Sequence, residues 1–198
     1  MTHALLVIDM QLDFCPGGAL AVAGGDDIVA GVNAAMADVD AVILTQDWHP
    51  TGHSSFASSH PDAAPMQVID MPYGPQVLWP DHCIQGAPGA AFHPALATDR
   101  ADTIIRKGFR RAIDSYSAFF ENDHATTTGL DGYLRARGID RLTLAGLALD
   151  FCVAWSATDA AALGYATTVR TDLCRAIDAD GSRDAALARM RDAGVTLA

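Results

Sequence analysis

Short apolar runs alternate with amphipathic segments along almost all of this 198-residue chain, and no other feature limits its fold as strongly. Ala4–Asp9, Ala41–Thr45, Thr103–Arg106, Leu142–Ala145, Tyr165–Arg170 and Val195–Leu197 are brief and aliphatic, which suits buried strands. Between them, Asp27–Ala37 carries Ile28, Val29, Val32 and Met36 near one helical face. Leu130–Arg137, Cys152–Leu163 and Ser182–Asp192 read as helices followed by Gly138, Gly164 and Gly194, glycine being the usual helix stop. Such alternation predicts an α/β fold, a mostly parallel sheet with helices on both faces. No repeat, low-complexity tract or charge run marks a second unit, so residues 1–198 are expected to form one domain. The exception to the pattern is Pro50–Pro94, rich in Pro, Gly, Ser and His. A loop of that length in a compact domain is expected to be functional or ordered by something it binds.

Charge and composition narrow the partners. Asp and Glu number 24 against 13 Lys and Arg, a net charge of −11, and an acidic surface repels phosphate backbones and anionic lipid. Neither nucleic acid nor membrane is therefore an expected partner. No apolar run approaches the roughly 20 residues of a membrane span. Met1-Thr2-His3 leads straight into Ala4–Ile8 with no basic start or cleavage site, so a cytoplasmic protein is expected. Cys15, Cys83, Cys152 and Cys174 lie far apart without CxxC pairing and are expected as free thiols. A homo-oligomer stays open, since no interface signal separates from core apolarity.

Chemistry gathers at the strand ends, which is where parallel α/β sheets bind ligands. Asp9 closes the first strand, Asp47 follows the second, Lys107 the third and Cys152 the fourth. Cys152 falls where a strand gives way to a helix, and free backbone N–H groups with the helix dipole favour a thiolate there. The same donors suit an oxygen that turns negative during acyl transfer. A buried structural cysteine remains the alternative on this segment alone. Beside a thiol, Asp9 can take the sulfur's proton and return it to a leaving amine, and the charge of Lys107 favours both ionised forms.

A second cluster is QDWHPTGHSSF, with WPDHC further on. Asp47 and His49 alternate along an extended segment, His53 follows a Pro-Thr-Gly turn, and His82 completes a set of three imidazoles and a carboxylate. These donors suit one divalent ion such as Zn, Fe or Mn, although the spacing matches no zinc-finger pattern. His3, His60, His93 and His124 have no such neighbours. Phe14, Trp48, Trp79 and Tyr116 lie in loops near the same rim, where Phe14 and Trp79 suit a flat aromatic ligand and Trp48 suits the core.

Taken together, VIDMQLDFCPGGAL, TQDWHPTGHSSF, WPDHCIQGAPGAAFHP, KGFRRAIDSYSAFF and GLALDFCVAWSATDAAALGY resemble the bacterial nicotinamidases, isochorismatase-like cysteine hydrolases that often also hydrolyse pyrazinamide. The resemblance runs from Leu5 to Leu197 with the motifs in the family's order. It implies a three-layer α/β/α sandwich and a metal-dependent amidohydrolase that converts nicotinamide to nicotinate and ammonia in NAD salvage. It assigns Cys152 as nucleophile, Asp9 as proton shuttle, Lys107 as the cation between them, and Asp47, His49, His53 and His82 as metal ligands. A cis peptide between Leu147 and Ala148 would turn the Ala148 N–H toward the site, where with the Cys152 N–H it would form the oxyanion hole. Phe14, Trp79 and, on a looser alignment, Tyr116 would frame the ring of a small aromatic amide. An isochorismatase-type enzyme with a different small substrate is the alternative. Two departures stand out: Leu149 replaces a small hydroxyl residue common in the family, and Ser59–Gln76 is longer than in its shortest members.

Overall fold

Successive residues of a strand face opposite ways, and the core of this protein divides along that line. In the computed structural model, which describes residues 2–198, the first apolar run forms strand β1 (Thr2–Ile8). Ala4, Leu6 and Ile8 enter one buried cluster, while Leu5 and Val7 enter another. Burial on both faces is why the run reads as continuously hydrophobic.

Around β1 the chain builds β2 (Ala41–Asp47), β5 (Thr103–Lys107), β6 (Ile139–Leu147), β7 (Ala166–Arg175) and β8 (Thr196–Leu197). They form a six-stranded sheet in the order β5-β2-β1-β6-β7-β8, parallel at every pairing. Helices α2 (Leu130–Ala136), α3 (Ala154–Ala162) and α4 (Ser182–Asp192) supply Leu130, Leu134, Ala157, Ala160, Ala186 and Met190 to the cluster on one face. The opposite face has α1 (Val29–Ala35), whose Val29 and Val32 pack beside Cys83, Ala90 and Leu96 from connecting segments. The expected layers are present, but on the α1 side irregular chain does part of a helix's covering work.

Several strands outrun the apolar segments that announced them. β2 continues through Thr45, Gln46 and Asp47, all buried, and β5 runs on to Lys107. Hydropathy stops at the first polar residue, whereas the sheet continues because those polar groups have partners at its edge. The long Pro50–Pro94 segment holds an unforeseen antiparallel hairpin, β3 (Val68–Met71) and β4 (Gly74–Val77). Pro75 argues against a strand, and Val68 is 58% exposed, so neither periodicity nor propensity betrays it. Where β6 passes β1, Gly146 has φ +123°, and a Cβ there would lie 2.2 Å from the carbonyl oxygen of Ile8. Only glycine allows that approach. Among the described residues no helix is long and apolar enough to cross a membrane, and all four cysteines are free.

Candidate active site

The strand order reverses between β1 and β6, with β2 and β5 on one side and β7 and β8 on the other. Ligands of open α/β sheets bind outside the carboxyl ends at such a reversal. Asp9 directly follows β1 and takes a left-handed φ of +46°, turning the chain at the rim. β6 leads through Ala148, after a cis Leu147–Ala148 peptide, into a π-helical turn, Leu149–Val153, that carries Cys152. β2 and β5 end side by side, with Asp47 opposite Lys107 in register.

Lys107, the chain's single lysine, is 1% exposed and unites this rim. Its Nζ lies 2.5 Å from Asp47 Oδ1, 2.8 Å from Asp9 Oδ2, 3.0 Å from the Ser115 carbonyl and 3.4 Å from Cys152 Sγ. Thr45 donates its hydroxyl to Asp9 Oδ1 at 2.6 Å and accepts the Asp9 N–H at 3.1 Å, which fixes the carboxylate. Burial works against the ammonium, but Asp47 and Asp9 outweigh it and hold Lys107 charged well beyond the usual lysine range. Burial raises Asp9 above an ordinary carboxyl, with Lys107 opposing.

At Cys152, burial and the charge of Lys107 pull in opposite directions. Burial pushes the thiol well above its usual range, Lys107 only partly opposes this, and the carboxylates of Asp9 and Asp47 push the same way. Cys152 lies in the π-helical turn that opens the helical segment after β6, with α3 beginning two residues later. A carboxylate oxygen of Asp9 lies within 4.8 Å of Cys152 Sγ, which places a base beside the thiol.

Beside this trio stand the residues with metal-binding side chains. His49 and His82 direct Nε2 at Asp47 Oδ2, at 3.5 and 3.7 Å. Their Nδ1 atoms meet the carbonyls of Gly108 and Pro80 at 2.9 and 2.8 Å. A carbonyl only accepts, so each Nδ1 carries the proton and each Nε2 presents a lone pair, the arrangement that orients imidazole ligands. Against burial, Lys107 holds Asp47 well below the usual carboxyl range, ready as an anionic donor. Asp47, His49 and His82 therefore fit a divalent ion.

His53, expected in the same set, differs. Its Nε2 faces the carbonyls of Arg110 and Ile113 at 2.9 and 3.1 Å, and its Nδ1 accepts from the Ser55 N–H and meets the Ser55 hydroxyl. Its ring lies tilted against that of His49, with centroids 4.4 Å apart, and His49, His53 and Asp114 bring potential ligand atoms within 4.8 Å of one another. Asp114, which the sequence did not single out, also stands here, its Oδ1 4.0 Å from His49 Nε2.

Phe14, Trp79 and Tyr116 line the cleft that Cys152, Ala148, Asp47 and His82 share. Phe151 joins them, its ring edge-to-face with Trp79 at 4.8 Å and with Tyr116 at 5.7 Å. Its position next to Cys152 in the same turn was the available signal for it. Trp48 lies outside this cleft, with the Arg106 guanidinium 4.0 Å above its ring and its body against the α1-side core.

An isochorismatase domain matches residues 3–198. The chain belongs to the isochorismatase family. Among family relatives, the nicotinamidase of Acinetobacter baylyi is 53% identical over 97% of this chain and 90% of its own. A nicotinamidase/pyrazinamidase structure from Acinetobacter baumanii superposes with a TM-score of 0.98 at 52% identity, covering 99% of this chain and 95% of that one. PnC1 from L. infantum, solved with nicotinate, has a TM-score of 0.87 at 39% identity, covering 100% of this chain and 92% of its own.

Proposed function

We propose that this protein is a metal-dependent cysteine amidohydrolase that converts nicotinamide to nicotinate and ammonia, with pyrazinamide as a second substrate. The observation that carries this reading is the placement of Lys107 Nζ within reach of Asp9, Asp47 and Cys152, the last two of which line the aromatic cleft. Its relatives named nicotinamidase support the choice of amide.

In this scheme the ring lies among Phe14, Trp79 and Tyr116, with its carboxamide carbon over Cys152. Asp9 takes the Sγ proton as sulfur forms its bond to that carbon. The N–H groups of Ala148 and Cys152 hold the oxygen that becomes negative. Asp9 passes the proton to the amide nitrogen, the C–N bond breaks and ammonia leaves a thioester. Water, giving a proton to Asp9, attacks the same carbon; the C–S bond breaks, nicotinate leaves and the proton returns to sulfur. Lys107 keeps its charge throughout and compensates Asp9 and Asp47. Asp47, His49 and His82 would hold the ion, with His53 behind His49, and when bound it supplies a Lewis acid for the pyridine nitrogen. We read residues 1–198 as one catalytic domain, because the sheet draws strands from both ends of the chain, and we place it in the cytoplasm, where buried free thiols persist.

Ammonia release from nicotinamide tests the reading. Release should fade on chelation and return with divalent metal, and Cys152→Ala should abolish it while retaining bound metal. A folded, metal-loaded wild type that releases none excludes nicotinamide and leaves another small amide within the family.

A further inference from the structure

Gln76, at the inner end of the β3–β4 hairpin, is fully buried although much of its hairpin is exposed. Burying an amide is costly unless its hydrogen bonds are met, and here they are met by the wall of the cleft. Oε1 accepts from the Tyr73 hydroxyl and Asn122 Nδ2, both at 3.1 Å. Nε2 donates to Val77 O at 2.7 Å, Tyr116 Oη at 2.9 Å and Asp114 Oδ2 at 3.0 Å, its two hydrogens shared among three acceptors.

The bond to Tyr116 matters most. Trp79 Nε1 also donates to Tyr116 Oη, at 3.2 Å, so two donors from the segment 76–79 converge on one phenol oxygen. Tyr116 stands edge-to-face with Trp79 at 6.2 Å and with Phe151, the residue before Cys152. A ring fixed at its hydroxyl cannot swing away from those neighbours without leaving buried donors unpaired.

We propose that Gln76 is a specificity-determining positioning residue: its amide holds Tyr116 against Trp79 and Phe151 and so sets the width of the slot that grips the substrate's ring. The inference rests on reading the cleft as the seat of an aromatic amide. It also gives a role to the hairpin that lengthens this part of the chain. Gln76 touches neither Cys152 nor Asp9, so its influence falls on ring binding and leaves acyl transfer largely alone.

The test is a double-mutant cycle of Gln76→Leu, which keeps length but cannot donate, and Tyr116→Phe, which removes only the hydroxyl. Each should raise KM for nicotinamide at least tenfold with kcat within about twofold, and the pair should be no worse than the poorer single variant. A merely structural Gln76 would lower thermal stability and the active fraction, reducing kcat at constant KM. Unchanged KM in either variant, or additive effects in the pair, overturns the inference. Should Gln76→Leu fail to fold, Tyr116→Phe alone still decides through KM. A second readout needs no substrate: the chain has four tyrosines, and in fluorotyrosine-labelled protein the 19F signal lost in Tyr116→Phe should shift and broaden in Gln76→Leu. An unmoved signal overturns the clamp, whereas a wild type inert toward nicotinamide with a moved signal overturns only the choice of substrate.

Discussion

At the scale of single residues, Lys107 decides most. Its ammonium is the nearest positive charge to two buried carboxylates, at 2.5 and 2.8 Å. Replacing it by Met leaves Asp9 and Asp47 without compensation, and breaking a buried pair this way costs about 3–5 kcal/mol. Lys107→Met should therefore be inactive and unfold at a clearly lower temperature; an unchanged melting curve would show that the carboxylates do not depend on it. Asp9→Asn separates chemistry from stability. It keeps the shape and the Thr45 contact but cannot take the thiol proton, so kcat should fall at least about 100-fold in a folded protein. Asp9, Asp47 and Lys107 were legible because each stands at the end of a strand visible in the sequence, and Cys152 because it stands where a helix follows one. Asp114 and Gln76 were not, since a buried polar residue is recognised by its partners, and the Asp114 Oδ2–Gln76 Nε2 contact spans 38 positions.

At the scale of elements, the turn after β5 shapes the imidazoles. Gly108 has φ +65°, and a Cβ there would lie 2.4 Å from His49 Cε1 and 2.7 Å from Nδ1. Its carbonyl also fixes the His49 tautomer. Gly108→Ala should displace the ring and weaken metal binding roughly 10–100-fold, the range seen when the partners of ligating histidines are lost; competition with a chromogenic chelator measures it. Helix α3 carries a different burden. Asp159 Oδ2 is buried without a hydrogen-bond partner, and burial raises the carboxyl above its usual range, with the Ser117 hydroxyl and His124 opposing. A raised acid is easier to ionise in the unfolded chain, so its cost is absent at low pH and appears as pH rises from the ordinary carboxyl range through the raised folded value. Asp159→Asn escapes that cost. Its melting temperature should exceed the wild type's at pH 7, with the gap narrowing toward pH 4; a gap that is constant or widens on acidification contradicts the assignment. Elements themselves were readable where a glycine stop closed a helix-forming segment, as for α4. They were unreadable where tertiary pairing overrode composition, as in the β3–β4 hairpin.

For the whole molecule, the site stands where the two halves of the sheet meet. β2 brings Asp47, the segments beyond it bring His49 and His82, and their nitrogens converge on one carboxylate oxygen at 3.5 and 3.7 Å. An ion held by these donors would tie the irregular cover of the α1 face to the central strands. The unfolded chain offers the same residues without the convergence, so binding belongs chiefly to the folded state and adds RT ln(1 + [L]/Kd) to its stability. At a free metal concentration about 1,000 times Kd this is about 4 kcal/mol, or roughly 8–16 °C in melting temperature for a domain of this size. Chelation should lower the melting temperature by an amount of that order, and stepwise return of Zn, Mn or Fe should restore it in order of affinity. Asp47→Asn, which keeps the side chain's size but removes the anionic donor, should abolish the metal-dependent part of the shift. A melting temperature indifferent to chelation in protein shown to carry metal would mean that the ion rests on a surface the unfolded chain presents equally well, and the three-residue site would be wrong.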